Sequence, residues 1–390
     1  MRVMLVAPLT NIHSQRFLDW LHRLGFDVIC VGEAPPPNLG ERDKFYEFPK
    51  GFSKWAQTNL RRWSLFVGRT LINKRRLRAI WKQEKPDIVH VHSIDTNAFA
   101  VTDADLKPRV LTSWGSDVNQ HFTFATGERR RRRTGRTLAT ADFVFADSQE
   151  LLDRCNQLAG RPLHSQLLRL GIDTQRFRPG YNAEARKWRA ELQIPEGAKV
   201  LLSMRALRPE HRHLEMLHAL QRISPSVMQR TGQPTYLILK RYNPYPDVDV
   251  YEKSLKAEIA KLGLNDSVRW LGHLEYEQVP AIYAASDVIV NYLRADGFPV
   301  TFLEAAACGK AVVSSRLPAY ADEDLEKCFR FVDPEDPAAF DSALIEALTE
   351  SIEESGSRGM RAREWAMRHG DQDACAAAVM KVYQSILSGS

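Results

Sequence analysis

Two hydrophobic patterns alternate along the first half of the chain. Val3–Ala7, Asp27–Val31, Asp87–His92, Arg109–Thr112 and Ala141–Ala146 read as short strands rich in apolar residues, while Ser14–Leu24 places its apolar residues at helical spacing. Gly25 precedes the second of these strands and Lys85-Pro86 the third, and both are turn signals. Strands alternating with helical segments imply a parallel sheet with helical crossovers. A second set runs through Val200–Ser203, Tyr236–Leu239, Val268–Leu271, Val288–Val290 and Ala311–Val313. Between the sets, residues 179–198 are rich in charge and hold Pro179, Gly180, Pro195 and Gly197, the composition of a link. The pattern predicts an α/β protein of two Rossmann-like domains, residues 1–178 and 195–372. Ligands of such folds sit outside the carboxyl ends of the strands, so the cleft between the lobes is the expected site.

Length agrees with this division, since 390 residues are long for one core. With 44% hydrophobic and 26% charged residues, the composition is that of a soluble globular protein. Cys30, Cys155, Cys308, Cys328 and Cys375 are scattered without a C-x-x-C pair, so neither a disulfide framework nor a zinc site is expected, and a cytoplasmic location fits. Met1-Arg2 runs straight into a strand, too short an apolar run for a signal peptide. No apolar stretch approaches the roughly 18 residues of a membrane span. The absence of G-x-G-x-x-G argues against a nicotinamide dehydrogenase. His90 and His92 alternate with Val and share a strand face, but no further ligands accompany them, and no metal is expected.

Charge is unevenly placed. Residues 1–175 hold 27 Lys and Arg against 18 Asp and Glu, and the remainder holds 27 against 30. Such asymmetry predicts an anionic partner for the first half. Two regions carry the excess: Leu60–Arg78, which mixes cations with apolar residues at helical spacing, and Arg129–Arg133 with Arg136. A helix lying on an anionic bilayer surface has this pattern, and so does a solvated helix packing one side on a sheet. Peripheral docking on the inner face of the membrane and a purely structural role both remain open. Nucleic acid is not expected, because no DNA-binding motif or aromatic-interleaved basic platform is present.

The richest chemistry lies in Asp296–Ser315. Asp296 and Glu304 stand eight positions apart, the first in a loop and the second in an apolar run of helical composition. Gly297 lets backbone amides approach an anion, and the helix after Pro299 aims its positive end there. Glu304, one turn inside, is placed to accept hydrogen bonds from hydroxyls of the same ligand. Such a design suits a phosphorylated sugar or a nucleotide. An ordinary loop–helix–strand unit with one buried Glu is the other reading.

These residues resemble the Glu-x7-Glu signature of the retaining glycosyltransferases of family 4, with Asp296 in place of the first Glu. The resemblance extends over nearly the whole chain. It implies the GT-B fold, two Rossmann-like domains facing each other across a cleft, with the last helix, 373–390, packing back on the first domain. It further implies transfer of a sugar from a nucleotide-diphosphate sugar to a hydroxyl acceptor, with retention and without a metal cofactor. In the family an Arg at the position of Arg205 and a Lys six residues on grip the diphosphate; here the sixth position is His211, followed by Arg212. A guanidinium makes bidentate phosphate contacts on its own, whereas His211 supplies a full charge only when protonated. Lys240 and Arg241 are candidates for the missing charge. Leu271-Gly272-His273 resembles the turn near the nucleobase. Leu111–Val118 resembles the Thr-x-His-Gly-x-Asp segment, with Trp114 where the His that contacts the transferred sugar normally lies. An indole stacks on a sugar and donates one hydrogen bond but exchanges no proton, so no base is assigned there. In a retaining transfer the departing phosphate oxygen can take the acceptor's proton on the same face. Ala141–Ser148 and Leu170–Pro179 resemble segments that close the first lobe.

The expected reacting centre thus holds Asp296, Arg205, Trp114 and His13. Arg205, His211, Lys240, Gly272, Asp296, Gly297, Phe298, Pro299, Val300 and Glu304 are expected around the donor. His13, His92 and Asp117 are expected on the acceptor side, the acceptor being a glycan, a lipid-linked group or a small molecule. His13 and Arg16 follow the first strand, where a cleft-facing role and a helix-capping surface role are both open. The alternatives to a transferase are a non-catalytic scaffold that binds nucleotide sugars or membranes, and another enzyme on the same fold, such as an epimerase.

Overall fold

The computed structural model describes residues 1–48, 62–123, 127–241 and 248–389. The chain divides into two compact units, Met1–Leu170 with Gln372–Ser390, and Gly171–Asp371.

The first unit runs β1 (Arg2–Val6), α1 (Ile12–Arg23), β2 (Asp27–Gly32), β3 (Lys44–Glu47), α2 (Arg62–Glu84), β4 (Ile88–His92), α3 (Thr96–Ala104), β5 (Arg109–Ser113), α4 (Ser116–Thr123), α5 (Glu128–Ala139), β6 (Phe143–Ala146), α6 (Gln149–Ala159) and β7 (Ser165–Leu167). Its seven strands are parallel in the order β3-β2-β1-β4-β5-β6-β7. Helices cover both faces, so the central strands are apolar throughout; Val3 to Val6 are fully buried. Met4, Val6, Val89, Val91 and Leu111 point to the side covered by α2, α3 and α6. On the opposite side His90 and His92 face α1, and the C-terminal helix Gln372–Ser388 packs beside α1. Tyr383 of that helix bonds His90 Nδ1 at 2.5 Å, and Arg23 pairs with Asp373 at 3.1 Å.

In the second unit α7 (Asn182–Glu191) leads into β8 (Lys199–Ser203), α8 (His213–Thr231), β9 (Thr235–Lys240), α9 (Val248–Lys261), β10 (Val268–Leu271), α10 (Val279–Ala285), β11 (Val288–Asn291), α11 (Val300–Ala307), β12 (Ala311–Ser315), α12 (Glu323–Glu326), β13 (Arg330–Val332), α13 (Pro337–Thr349) and α14 (Ile352–His369). The parallel order β10-β9-β8-β11-β12-β13 is that of a dinucleotide-binding sheet. One hydrophobic layer lies on each side of it. Helix α14 (Ile352–His369) runs so close to the turn after α11 that a Cβ on Gly359 would meet the Gly309 carbonyl oxygen.

The boundary between units differs from the expected one. Residues 171–178 belong to the second unit: Ile172 N–H donates to Gly370 O at 2.8 Å, and Phe177 is fully buried. The charged stretch 179–198 is likewise folded, with α7 packed on α10 and Arg189 Nε donating to Ala285 O at 2.9 Å. Glu184, Arg186, Lys187 and Glu191 lie on the outer face of a helix whose Trp188 and the following Leu192 pack on the core, which is why composition alone reads as a link. Three short edge strands, β3, β7 and β13, are also absent from the sequence reading, being three or four residues long.

Candidate active site

The strand order reverses direction between β8 and β11 in the second unit, and a ligand crevice is expected outside the carboxyl ends of those two strands. Both leave polar residues there. Arg205 follows β8, Asp296 follows β11, and Arg205 Nη2 pairs with Asp296 Oδ1 at 3.1 Å. Their side chains are only 17% and 16% exposed, so the attraction is less screened than at a surface. Asp296 Oδ2 accepts from Tyr320 Oη at 2.8 Å.

His211 fits this cluster in one tautomer. Its Nδ1 lies 2.6 Å from the Ala206 carbonyl, which can only accept, so Nδ1 carries the hydrogen. Its Nε2 then accepts from Arg205 Nη2 at 3.3 Å. Burial first, and the Arg205 charge second, lower the His211 pKa. The position that holds a Lys in the family therefore contributes a neutral ring. Arg212 and Arg241 both have partners within the protein. Arg212 is bonded to Glu215 and the Pro334 carbonyl and covers the Tyr292 ring, while Arg241 pairs with Glu252 at 2.6 Å. Burial lowers the Lys240 pKa, and the Glu304 charge acts in the other direction.

Glu304 lies within α11, 7% exposed, with Oε2 accepting from Tyr283 Oη at 2.9 Å. Pro299 is the N-cap of α11 and offers no N–H, and Val300 opens the helix. Two residues of the expected donor loop also have contacts within the protein. Phe298 is a core residue, its ring 5.8 Å from Phe302 and 6.0 Å from Trp365. The Gly297 amide donates to Asp296 Oδ1 at 3.1 Å, which uses it inside the loop. Gly272 is exposed and has open space where a Cβ would stand, so packing does not demand glycine there. Tyr283, Asn291 and Tyr320, which complete these contacts, are invisible to motif spacing because they sit on other elements.

In the first unit the order reverses between β1 and β4. His13 lies in the first turn of α1, whose cap is Asn11 accepting from His13 N–H at 2.9 Å. The His13 ring stacks on Trp114 at 5.3 Å, and His92 meets Trp114 edge-on at 5.3 Å. His92 Nδ1 bonds Ser14 Oγ at 3.2 Å. His13 Nδ1, His92 Nε2 and Trp114 Nε1 are buried without a hydrogen-bond partner among the described residues. Burial pushes His13 down to about 4, with the Arg16 charge adding, and His92 down to about 3, so both are neutral near pH 7. Asp117 is structural in its contacts: Oδ2 accepts from Ile94 N–H at 2.6 Å and Oδ1 from Ser113 Oγ at 2.8 Å, tying the ends of β4 and β5. His90 is bonded through both ring nitrogens, to Tyr383 and to Thr112. Among the described residues no group of three or more His, Cys, Asp or Glu is placed to hold a metal. A cavity of about 350 Å³ lies by the carboxyl ends of β1, β2 and β4, lined among the described residues by Thr10, Glu33, Asp95 and Asn97.

Of the basic stretch Leu60–Arg78, Leu60 and Arg61 lie outside the described residues. From residue 72 onward, Leu77 and Ile80 are buried and Arg75, Arg76 and Arg78 are exposed, so the apolar side is taken up by the core. On α5, Arg129, Arg130, Arg132 and Arg136 are exposed, while Arg133 pairs with Asp103. No helix among the described residues is long and apolar enough to cross a membrane, and all five cysteines are free.

Two Rossmann-like units with parallel sheets are the GT-B architecture. Sucrose-phosphate synthase from Thermosynechococcus elongatus matches with a TM-score of 0.81 at 17% identity over 100% of both chains. HepE from Anabaena, solved with UDP-glucose, matches with a TM-score of 0.75 at 17% identity, over 99% of this chain and 100% of its own. Residues 10–176 match Glycosyltransferase Family 4, and residues 184–365 match Glycosyl transferases group 1. Together these matches cover most of the chain, which belongs to the group 1, family 4 glycosyltransferases. D-inositol 3-phosphate glycosyltransferase of Saccharomonospora viridis is 31% identical over 205 residues, 51% of this chain and 45% of its own. Its counterpart in Corynebacterium urealyticum is 28% identical over 181 residues, 46% and 42% respectively. The chain spans about half the length of the curated relatives it matches.

Proposed function

We propose that the chain is a retaining hexosyltransferase that moves a sugar from a nucleotide-diphosphate sugar to a hydroxyl acceptor. The observation that carries this reading is the pairing of Arg205 with Asp296 at the β8/β11 reversal, eight residues ahead of the buried carboxylate of Glu304. Glu304 holds the ribose hydroxyls, Arg205 meets the diphosphate, and Asp296 meets the transferred sugar. The first unit presents the acceptor near His13, His92 and Trp114, whose unpartnered ring nitrogens suit hydroxyl groups. Both imidazoles take up a proton only well below neutral pH and so are weak bases near pH 7, which favours proton uptake by the departing phosphate oxygen over a protein base. Stabilising that diphosphate and aligning the acceptor hydroxyl then supply most of the catalysis. UDP-glucose in a structural neighbour and inositol phosphate in the relatives' names support the substrate classes. The exposed cations of α2 and α5 bring the enzyme to anionic lipid when the acceptor is lipid-linked. Thermal-shift screening against UDP- and GDP-sugars tests the donor reading: one of them should raise the melting temperature and be turned over. Binding without turnover would favour the scaffold, and neither binding nor turnover of any of them would contradict the donor reading.

A further inference from the structure

The contacts of Asp296 continue beyond Arg205 into a chain that no motif marks. Tyr320 ends the short turn Pro318–Tyr320 after β12, and its ring is 2% exposed among Phe302, Phe331 and Phe298, with centroids 4.8, 6.2 and 6.4 Å away. Asn291, the last residue of β11, donates Nδ2 to the Tyr320 oxygen at 3.1 Å. That leaves the single phenol hydrogen for Asp296 Oδ2, 2.8 Å away. Burial, and the charge of Asp296, keep this phenol protonated far above its usual range.

A carboxylate offers about four lone-pair positions. On Oδ1, Arg205 Nη2 and the Gly297 amide occupy two, both at 3.1 Å. On Oδ2, Tyr320 occupies one. Among the described residues one position remains, on Oδ2, and its direction is set by the Tyr320 hydrogen bond. We propose that Tyr320 is a positioning residue that holds Asp296 so that it accepts one hydroxyl of the transferred sugar. This rests on the donor reading of the second unit. Without the Tyr320 proton only the Oδ1 contacts from Arg205 and Gly297 hold the carboxylate, so Oδ2 is less fixed and the sugar loses a well-placed acceptor while the nucleotide contacts at Glu304 stay in place.

The test uses Tyr320→Phe, Asp296→Asn and the double variant in the full chain. Calorimetry with UDP and GDP, and turnover of UDP-glucose and GDP-mannose, are read beside melting temperature. Tyr320→Phe removes one oxygen from a packed ring, so it should melt near the wild type and bind the nucleoside diphosphate within about twofold. Its kcat should fall about tenfold or more, the range for a hydrogen bond to a charged group, with donor KM little changed. In the Asp296→Asn background the same substitution should cost less than about twofold, because its effect passes through that carboxylate. Wild-type kcat in Tyr320→Phe, or losses that simply multiply in the double variant, would overturn the positioning role and leave the donor reading standing. A wild-type protein that binds neither diphosphate and consumes neither sugar would overturn both.

Discussion

Glu304→Gln removes a charge at almost constant shape, which makes it the cleanest probe of the donor site. Glu304 is 7% exposed, and its Oε2 takes the Tyr283 hydroxyl at 2.9 Å. A glutamine keeps one oxygen for Tyr283, so the fold should survive; an alanine would also open a cavity and blur the result. Two ribose hydroxyls on a carboxylate are hydrogen bonds to a charged group, about 1.5–3 kcal/mol each, against about 0.5–1.5 for a neutral amide. The amide's only acceptor oxygen is already shared with Tyr283. The expected loss is about 2–4 kcal/mol, or roughly 30- to 800-fold in Kd. Calorimetry with UDP or GDP, whichever the wild type binds, measures it on protein whose melting matches the wild type. A folded Glu304→Gln variant binding within about threefold of wild type would refute the assignment of Glu304 to the ribose.

Arg205→Ala should weaken diphosphate binding more than His211→Ala, since the guanidinium is permanently charged and the His211 ring is held neutral by burial and by Arg205; equal losses by calorimetry would move the phosphate site. Stability should fall as the solution is acidified below about pH 6.5, the usual imidazole value. Unfolded His13 and His92 bind protons there, while the folded rings resist down to about 4 and about 3, so the unfolded state is favoured as pH drops. His92→Leu should flatten this dependence of melting temperature between pH 7 and 4.5, and an unchanged slope would count against the buried neutral ring. Sedimentation with anionic vesicles should appear at low salt, fade as salt rises, and weaken when Arg75, Arg76 and Arg78 are neutralised. If the wild type fails to sediment at low ionic strength, these arginines are a solvated face.

Much of the architecture is legible because parallel strands buried on both faces announce themselves as apolar runs. Val200–Ser203 and Val288–Val290 are examples, and the strand order then puts Arg205 and Asp296 together. The motif reading reaches Glu304 because its helix begins where Pro299 says it should. It does not give a side chain's direction where that depends on a third element. Phe298 lies within the motif yet turns into the core, and Arg241 is drawn to Glu252 eleven residues on. Tyr320 and Tyr283 reach the two motif carboxylates from β12's following turn and from α10, and nothing local in their own segments signals it. The charged stretch before β8 misleads for the opposite reason: composition reports its outer face and conceals Trp188 beneath.

The central claim is retaining sugar transfer from a nucleotide-diphosphate donor, and the anomeric configuration of the product tests it most directly. A donor of defined configuration, with an acceptor found by turnover screening, should give a new glycosidic bond whose proton NMR coupling matches the donor's configuration. Trp114→Phe should change the rate without introducing or removing a titration step, because neither ring exchanges protons. An inverted product would contradict the account, whatever the fold.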